Sequence, residues 1–300
     1  MDNSYLSIKE IQKIVFKDLQ EVNNIIIDNI GNEVPLIKDL SKHILASGGK
    51  RIRPMVTLLS SRLCNYSGNN QLYLAACVEF IHTATLLHDD VIDESKMRRG
   101  VATANDIFGN KTSVLVGDFL FSRAFELMVQ YGSKQILEVL SKASSTIAQG
   151  EVLQLTTIND SSTSKELYMK VITNKTASLF SAASKISAIL SEEKDIIQKS
   201  LKIYGQKLGI AFQLVDDALD YAGTSALDKS IGDDFREGKM TLPVIISLEK
   251  SNPEEKSFWK KTIEDLEQSS GDLNKAIELI NNTMELAQPL LLLKNIVWKL

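Results

Sequence analysis

Long stretches of the chain place apolar residues at i, i+3, i+4 and i+7, the spacing that gathers them on one face of an α-helix. Segments 72–93, 113–131, 134–157, 165–190 and 195–222 keep this period over much of their length. Short polar breaks divide them, among them Asn159-Asp-Ser-Ser-Thr-Ser164 and Gly223-Thr-Ser225. The period-2 alternation of half-buried strands is scarce. Proline points the same way: the five lie at 35, 54, 243, 253 and 289, so none breaks a helix between Pro54 and Pro243. No repeat at solenoid spacing, low-complexity tract or obvious linker interrupts the pattern. The expectation is an all-α protein of roughly ten or more helices, organised as a single domain over residues 1–300.

Composition narrows the partners. Hydrophobic residues make up 44% of the chain and charged residues 24%, an ordinary globular balance with ample material for a core. The formal net charge of −4 argues against general nucleic-acid binding while leaving room for a local basic pocket. Cys64 and Cys77 are the only cysteines and form no C-x-x-C pair, so a zinc site or disulfide framework is not expected. The start, Met-Asp-Asn-Ser-Tyr, lacks the basic stretch and apolar run of a signal peptide. No apolar run approaches the roughly 18–20 residues needed to span a bilayer. A soluble cytoplasmic protein without a transmembrane segment is expected.

Two Asp-Asp-x-x-Asp clusters carry the chemistry. Asp89, Asp90 and Asp93 end the apolar segment from Ala75 to His88, and Asp216, Asp217 and Asp220 follow Gly209-Ile-Ala-Phe-Gln-Leu-Val215. On a helix, positions i and i+4 share a face, so Asp89 and Asp93 converge, as do Asp216 and Asp220. Asp90 and Asp217 sit about 100° around. Three like charges in one turn repel, and the negative end of the helix dipole adds to their discomfort. Such a place suits a cation. Oxygen-only ligands point to a hard metal, Mg²⁺ before Ca²⁺ or Mn²⁺, and Mg²⁺ usually binds one or two carboxylates plus substrate phosphate.

Basic residues interleave with these acids. Gly48-Gly-Lys-Arg-Ile-Arg-Pro54 sets Lys50, Arg51 and Arg53 beside glycines whose backbone can approach a phosphate. Met97-Arg-Arg-Gly100 puts Arg98 and Arg99 on an expected loop just after the first cluster. Asn174-Lys175-Thr176, Lys229 and Gly238-Lys239-Met-Thr-Leu-Pro243 lie further on. His82 precedes Asp89 by two helical turns on nearly the same face, where it looks toward the same place. Any one of these alone reads as a surface charge; their interleaving with the acidic clusters suggests a diphosphate site.

Taken together, the residues resemble the trans-type isoprenyl diphosphate synthases, or polyprenyl synthetases. The 48–54 segment looks like that family's isopentenyl diphosphate signature. His88-Asp-Asp-Val-Ile-Asp93 with Arg98-Arg99 resembles its first aspartate-rich motif. Gln213-Leu-Val-Asp-Asp-Ala-Leu-Asp-Tyr221 and Gly232-Asp-Asp-Phe-Arg-Glu-Gly-Lys239 resemble the second. The likeness runs from about residue 10 to about 280, and Gly117-Asp-Phe-Leu120 and Gly150-Glu-Val-Leu-Gln-Leu155 are most like the octaprenyl branch. It implies a barrel of long, mostly antiparallel helices around a deep central cavity, as a homodimer. By the same resemblance, Asp89, Asp93 and Asp216 hold about three Mg²⁺, with Mn²⁺ as a substitute and Asp90, Asp217, Asp220 and Asp234 in support. Lys50, Arg53, His82 and Arg99 hold isopentenyl diphosphate; Arg98, Lys175, Thr176, Gln213, Lys229 and Lys239 hold the allylic diphosphate. Arg51 fits this set least well. Catalysis falls to Asp89, Asp90, Asp93, Asp216, Asp217 and Lys175, through ionisation of the allylic diphosphate, attack by isopentenyl diphosphate and loss of a proton.

A growing chain would pass Thr85, Ala84, Ile81 and Cys77, one turn of about 5.4 Å after another. Ala84 and Thr85 stand where bulky aromatics would block it, so a long product of about eight isoprene units is expected over farnesyl or geranylgeranyl diphosphate. A class I terpene cyclase would have no use for Lys50, Arg53 and His82, and a regulatory subunit would typically have lost one acidic cluster. A metal-binding helical scaffold leaves the basic residues unexplained. The C-terminal part after about residue 280 departs from the family, its end shortened and altered. The Leu-rich stretch there reads either as a helix covering the core or as a peripheral membrane contact for product release.

Overall fold

The computed structural model describes residues 6–31, 33–46, 49–98, 100–221 and 231–284. The helices run α1 (Ile8–Ile14), α2 (Phe16–Ile30), α3 (Pro35–Ala46), α4 (Ile52–Leu63) and α5 (Asn70–Ile92). A two-stranded ribbon follows, β1 (Met97–Arg98) and β2 (Val101–Ala102), then α6 (Ala104–Phe108), α7 (Asn110–Tyr131) and α8 (Lys134–Leu155). Next come α9 (Lys165–Ile172), a π-helical turn at Thr173–Ala177, α10 (Ser178–Leu190) and α11 (Asp195–Asp220). The last elements are α12 (Asp233–Arg236), α13 (Leu242–Lys250), α14 (Pro253–Trp259), a second π turn at Lys260–Glu264, and α15 (Asp272–Met284). Each of the five long periodic segments is helical over most of its described residues.

Two differences from the sequence reading have simple causes. The expected loop at 97–100 is an antiparallel ribbon, with Met97 opposite Ala102 and Arg98 opposite Val101. Strands of two residues are too short to show alternation, and Gly100, at φ +75°, supplies the left-handed backbone of the reversal. The segment 165–190 is interrupted by the π turn, which leaves the apolar period almost unchanged because it adds only one residue.

The chain divides into two compact units, residues 1–145 with 179–206 and residues 146–178 with 207–300. The boundaries fall inside α8, α10 and α11, not in linkers. In the first unit α5 packs against α2, α4 and α7. Its residues Leu74–Ile81 are buried on every side, as expected of a helix apolar all round. Burying each of Leu74, Val78 and Ile81 stabilises by about 2 kcal/mol. Small residues let α7 approach: the Cys77 thiol donates to the Ala124 carbonyl at 3.4 Å. Burial pushes that thiol's pKa far up, so Cys77 is an inert packing residue.

The second unit has its own core, in which Trp259 meets Phe235 and Phe258 edge to face. Tyr168, Val244, Ile263 and Ile280 complete its centre. Helix α14 starts on a full capping box, Asn252 receiving the Glu255 amide and Glu255 returning to the Asn252 amide, with Pro253 at the first helical position. The core includes Tyr168 and Ile172 of α9 and Phe235 of α12, which adjoin the segments that carry the candidates Lys175, Thr176 and Lys239.

Candidate active site

In the first unit the aspartates end α5, and Asp93 caps it with its amide bonded to the Asp89 carbonyl at 2.8 Å. Asp89 and Asp93 are half-buried, whereas Asp90 is buried. The 100° offset between neighbours on a helix explains the split. Asp90 turns inward to Arg98 on β1, which donates from Nε at 2.9 Å and from Nη2 at 2.6 Å to Oδ1. Burial works against the Arg98 charge, but the hydrogen bonds to Asp90 and the charges of Asp90, Asp89 and Asp93 outweigh it and hold its pKa above the ordinary value. The ribbon thus places a guanidinium against the first aspartate cluster.

Two residues assigned to one ligand meet in this unit. Arg53 Nη1 lies 3.0 Å from His82 Nε2, and its guanidinium sits over the Phe180 ring, 4.6 Å from the centroid. Lys50 is exposed, its carbonyl accepting from Gln12 Nε2 at 3.1 Å. Arg51 faces elsewhere. It begins α4 in a left-handed conformation, φ 47°, and its Nη1 pairs with the buried Glu79 at 2.5 Å. Arg51 is therefore the clip that holds the loop, which explains its poor fit to the ligand set. Arg99 lies outside the described residues.

The Gly117-Asp118 pair also has a physical reason. A Cβ on Gly117 would stand 2.3 Å from His88 Nε2, so glycine leaves the imidazole that precedes Asp89 room where it stands, and a larger residue would make it shift. His88 Nε2 lies 3.2 Å from the Val114 carbonyl and 3.4 Å from Asp118 Oδ1.

The second unit gathers the allylic candidates. A Cβ on Gly150 would fall 2.6 Å from the Lys175 amide nitrogen, so glycine lets α8 lie directly against the π turn. Lys175 Nζ pairs with Glu151 at 2.5 Å and donates to Gln154 Oε1 at 2.8 Å. Thr176 donates to Gln213 Oε1 at 2.8 Å, and Gln213 Nε2 donates to Asp217 Oδ1 at 2.7 Å. The other Asp217 oxygen accepts from the buried Tyr168 hydroxyl at 2.5 Å. Burial, then the Asp217 charge and hydrogen bond, push the Tyr168 pKa far up, so it stays a donor.

Asp216 is half-buried while Asp217 and Asp220 are buried. The carboxylate of Asp220 accepts the amides of Asp233 at 3.3 Å and Asp234 at 3.1 Å, and so pins the start of α12. Lys239, mostly buried, pairs with Glu237, and its amide bonds the Asp234 carbonyl at 2.9 Å. Lys229 lies outside the described residues. Among the described residues, no three His, Cys, Asp or Glu side chains stand close enough to hold a metal ion by themselves.

Of the elongation candidates, Cys77, Ile81 and Ala84 have no exposure, and Thr85 is half-buried with its hydroxyl donating to the His82 carbonyl at 2.8 Å. Sequence reasoning missed Glu79, Glu151, Gln154 and Tyr168. Glu79 had a signal, being the one charge in an otherwise apolar run, which requires a buried partner. Glu151 and Gln154 share one helical face at i, i+3 next to a glycine. Tyr168 offered none, since it reads as one more apolar-stripe residue.

A helical fold with an aspartate cluster and a set of cationic or hydroxyl side chains in each unit defines a class of diphosphate-handling protein. The polyprenyl synthetase family model matches residues 34–280, and the chain belongs to that family. It is 48% identical over 260 residues to octaprenyl diphosphate synthase of Escherichia coli (strain K12), covering 86% of this chain and 80% of that protein. The octaprenyl diphosphate synthase of Haemophilus influenzae is 49% identical over 260 residues, with 86% and 79% covered. Among solved structures, the polyprenyl synthase from Caulobacter crescentus CB15, complexed with calcium and isoprenyl diphosphate, matches with a TM-score of 0.92 at 46% identity. That match covers 97% of this chain and 89% of the other. The chain has the all-α fold of polyprenyl synthases, and no described helix is long and apolar enough to cross a membrane.

Proposed function

We propose that this protein joins isopentenyl diphosphate to an allylic diphosphate, head to tail, and repeats the step to make a long all-trans polyprenyl diphosphate of about eight isoprene units. One observation supports the reading: two separate groups of side chains that could serve a diphosphate occur in one chain, Arg53 with His82 in the first unit and Lys175 with Thr176 and Gln213 in the second. An enzyme that only ionises one allylic diphosphate needs a single set. The similarity to octaprenyl diphosphate synthases at 48–49% identity supports the long product.

Asp89, Asp93 and Asp216 are the residues that would hold Mg²⁺, or Mn²⁺ in its place. The donor set fits: all the ligands are oxygen, the three carboxylates are half-exposed, and their neighbours Asp90, Asp217 and Asp220 are each held by protein donors. An ion bound by one or two carboxylates completes its shell with water and diphosphate oxygens, as Mg²⁺ commonly does. When bound, it neutralises the diphosphate and acts as a Lewis acid that eases departure of the leaving group.

The side chains do the rest. Arg98, Lys175, Lys229 and Lys239 would hold the allylic diphosphate and share the charge that grows as its C–O bond breaks. Lys50, Arg53, His82 and Arg99 hold isopentenyl diphosphate so that its double bond is the nearest nucleophile. The departing diphosphate takes the proton released after the new C–C bond forms, restoring an allylic product one unit longer. The small side chains of Ala84 and Thr85 would let that chain pass along α5, toward Ile81 and Cys77, once the packing around these buried residues yields. The two units work as one polyprenyl synthetase domain, and the protein acts as a homodimer. Along α7, Leu115, Phe125 and Val129 are exposed on nearly one face, 67%, 39% and 71% respectively, which supports a second copy as their cover.

The test is direct. Purified protein is incubated with Mg²⁺, labelled isopentenyl diphosphate and allylic primers of several lengths, and the product chain is measured. Incorporation into products of about eight units is expected; no incorporation with any primer overturns the reading.

A further inference from the structure

The pairing of Asp90 with Arg98 decides which donors the guanidinium still has to offer. Among the described residues, each hydrogen bond of that guanidinium goes to Asp90. Nε reaches Oδ1 at 2.9 Å and Oδ2 at 3.2 Å, and Nη2 reaches Oδ1 at 2.6 Å. Nε–H and one Nη2–H form a single edge of the planar group, and that edge is taken. The other edge, Nη1 with the second Nη2 proton, is left for a further acceptor. The side chains of Asp90 and Arg98 are 7% and 35% exposed, so the acid is sealed in while the base still meets solvent.

The backbone alone does not set the direction of that second edge. The ribbon that carries Arg98 is tied down at its foot, where the Ser95 amide donates to the Asp90 carbonyl at 2.9 Å. Thr103 Oγ1 and Asn105 Nδ2 donate in turn to the Ser95 carbonyl, at 2.6 Å and 3.1 Å. Several rotatable bonds still separate the Arg98 backbone from its guanidinium, and a flexible side chain needs a partner to hold one orientation. The charges of Asp89 and Asp93 also reach this guanidinium. A neutral residue at 90 would leave it to their pull, toward the carboxylates proposed to hold the metal. Asp90, turned inward, draws it the other way through a charge-assisted fork.

We propose that Asp90 is a positioning residue for the allylic substrate: it grips one edge of the Arg98 guanidinium and so aims the other edge at the diphosphate. This rests on the functional reading above, which gives Arg98 to that substrate. It removes Asp90 from the support of a metal ion, and so gives neighbouring residues of one motif different tasks.

The test is a double-mutant cycle on the full-length protein, with Asp90→Asn, Arg98→Ala and the pair. The readouts are calorimetry with a non-ionising allylic diphosphate analogue in saturating Mg²⁺, and steady-state rates. Asp90→Asn is expected to weaken analogue binding about tenfold, while the KM for isopentenyl diphosphate stays within about twofold. With Arg98 gone there is nothing left to aim. Adding Asp90→Asn to Arg98→Ala should therefore weaken the analogue no further and leave the Mg²⁺ requirement of that protein unchanged. A further loss there, or a raised Mg²⁺ requirement, marks Asp90 as a metal support and overturns the proposal. Equal rises in both KM values in Asp90→Asn would show a merely structural role and do the same. Should Asp90→Asn fail to fold, Asp90→Glu keeps the charge but moves the acceptor by one methylene. It should also bind the analogue more weakly, and wild-type affinity would overturn the proposal. A wild-type protein that elongates no primer overturns the functional reading as well. One that elongates, with additive losses in the cycle, overturns the role of Asp90 alone.

Discussion

Asp89, Asp93 and Asp216 differ from Asp90, Asp217 and Asp220 in burial, and that difference separates two kinds of failure. Replacing Asp89 or Asp216 by Asn removes a half-exposed charge with little effect on packing. Turnover should fall by about 100-fold or more with the helical circular dichroism unchanged; near-normal rates in both variants would remove the metal assignment. Arg51 and Glu79 behave in the opposite way. Their side chains are 18% and 7% exposed, and breaking a buried pair leaves an uncompensated charge. Glu79→Gln should therefore lower the unfolding free energy by about 3 kcal/mol in urea titration. Any loss of activity should follow the unfolded fraction. The sequence displayed all six aspartates but not this division, because burial depends on what packs against each face. Only the 100° offset of Asp90 and Asp217 hinted at it.

At the scale of elements, the close approach of α8 to the first π turn depends on one missing side chain. Gly150→Ala would put a Cβ 2.6 Å from the Lys175 amide nitrogen, and backbone cannot yield as a flexible side chain can. We expect a stability loss of about 1–3 kcal/mol together with a raised KM for the allylic primer, read by thermal melting and initial rates. Helix α5 carries a second element-scale prediction. Ala84→Phe should shorten the product, as measured by chromatography of the dephosphorylated chains. A protein destabilised by overpacking but still making the full-length product would count against an elongation path beside Ala84. The long helices were legible because each repeats its apolar period many times. The ribbon at Met97–Ala102 and the π turns were not, because a feature of a few residues leaves no period to detect.

At the scale of the whole molecule, the family was readable from short motifs and the two-unit division was not. Unit boundaries that fall inside α8, α10 and α11 leave no change in composition to mark them. The second-unit network was half visible: Thr176, Gln213 and Asp217 belong to motifs, but Tyr168 meets Asp217 across 49 positions of sequence, a separation no local pattern reports. The proposed homodimer gives a prediction at this scale. Leu115→Glu with Val129→Glu should shift the protein from dimer to monomer in light scattering, since charges placed on both exposed positions of α7 cannot be buried cheaply. Unchanged mass would place the dimer contact elsewhere.

The π turn at Thr173–Ala177 bears on how this enzyme could be altered by deletion. Such a turn is an α-helix with one residue too many. Removing a single residue from it should let the backbone close into ordinary helix, with a higher melting temperature. It would also rotate Thr176 by about 100° relative to Tyr168, so the two hydroxyls would face different directions. A shortened protein that is more stable and nearly inactive is the expected result, read by thermal melting and initial rates. The extra residue thus sets the angle at which Thr176 follows α9.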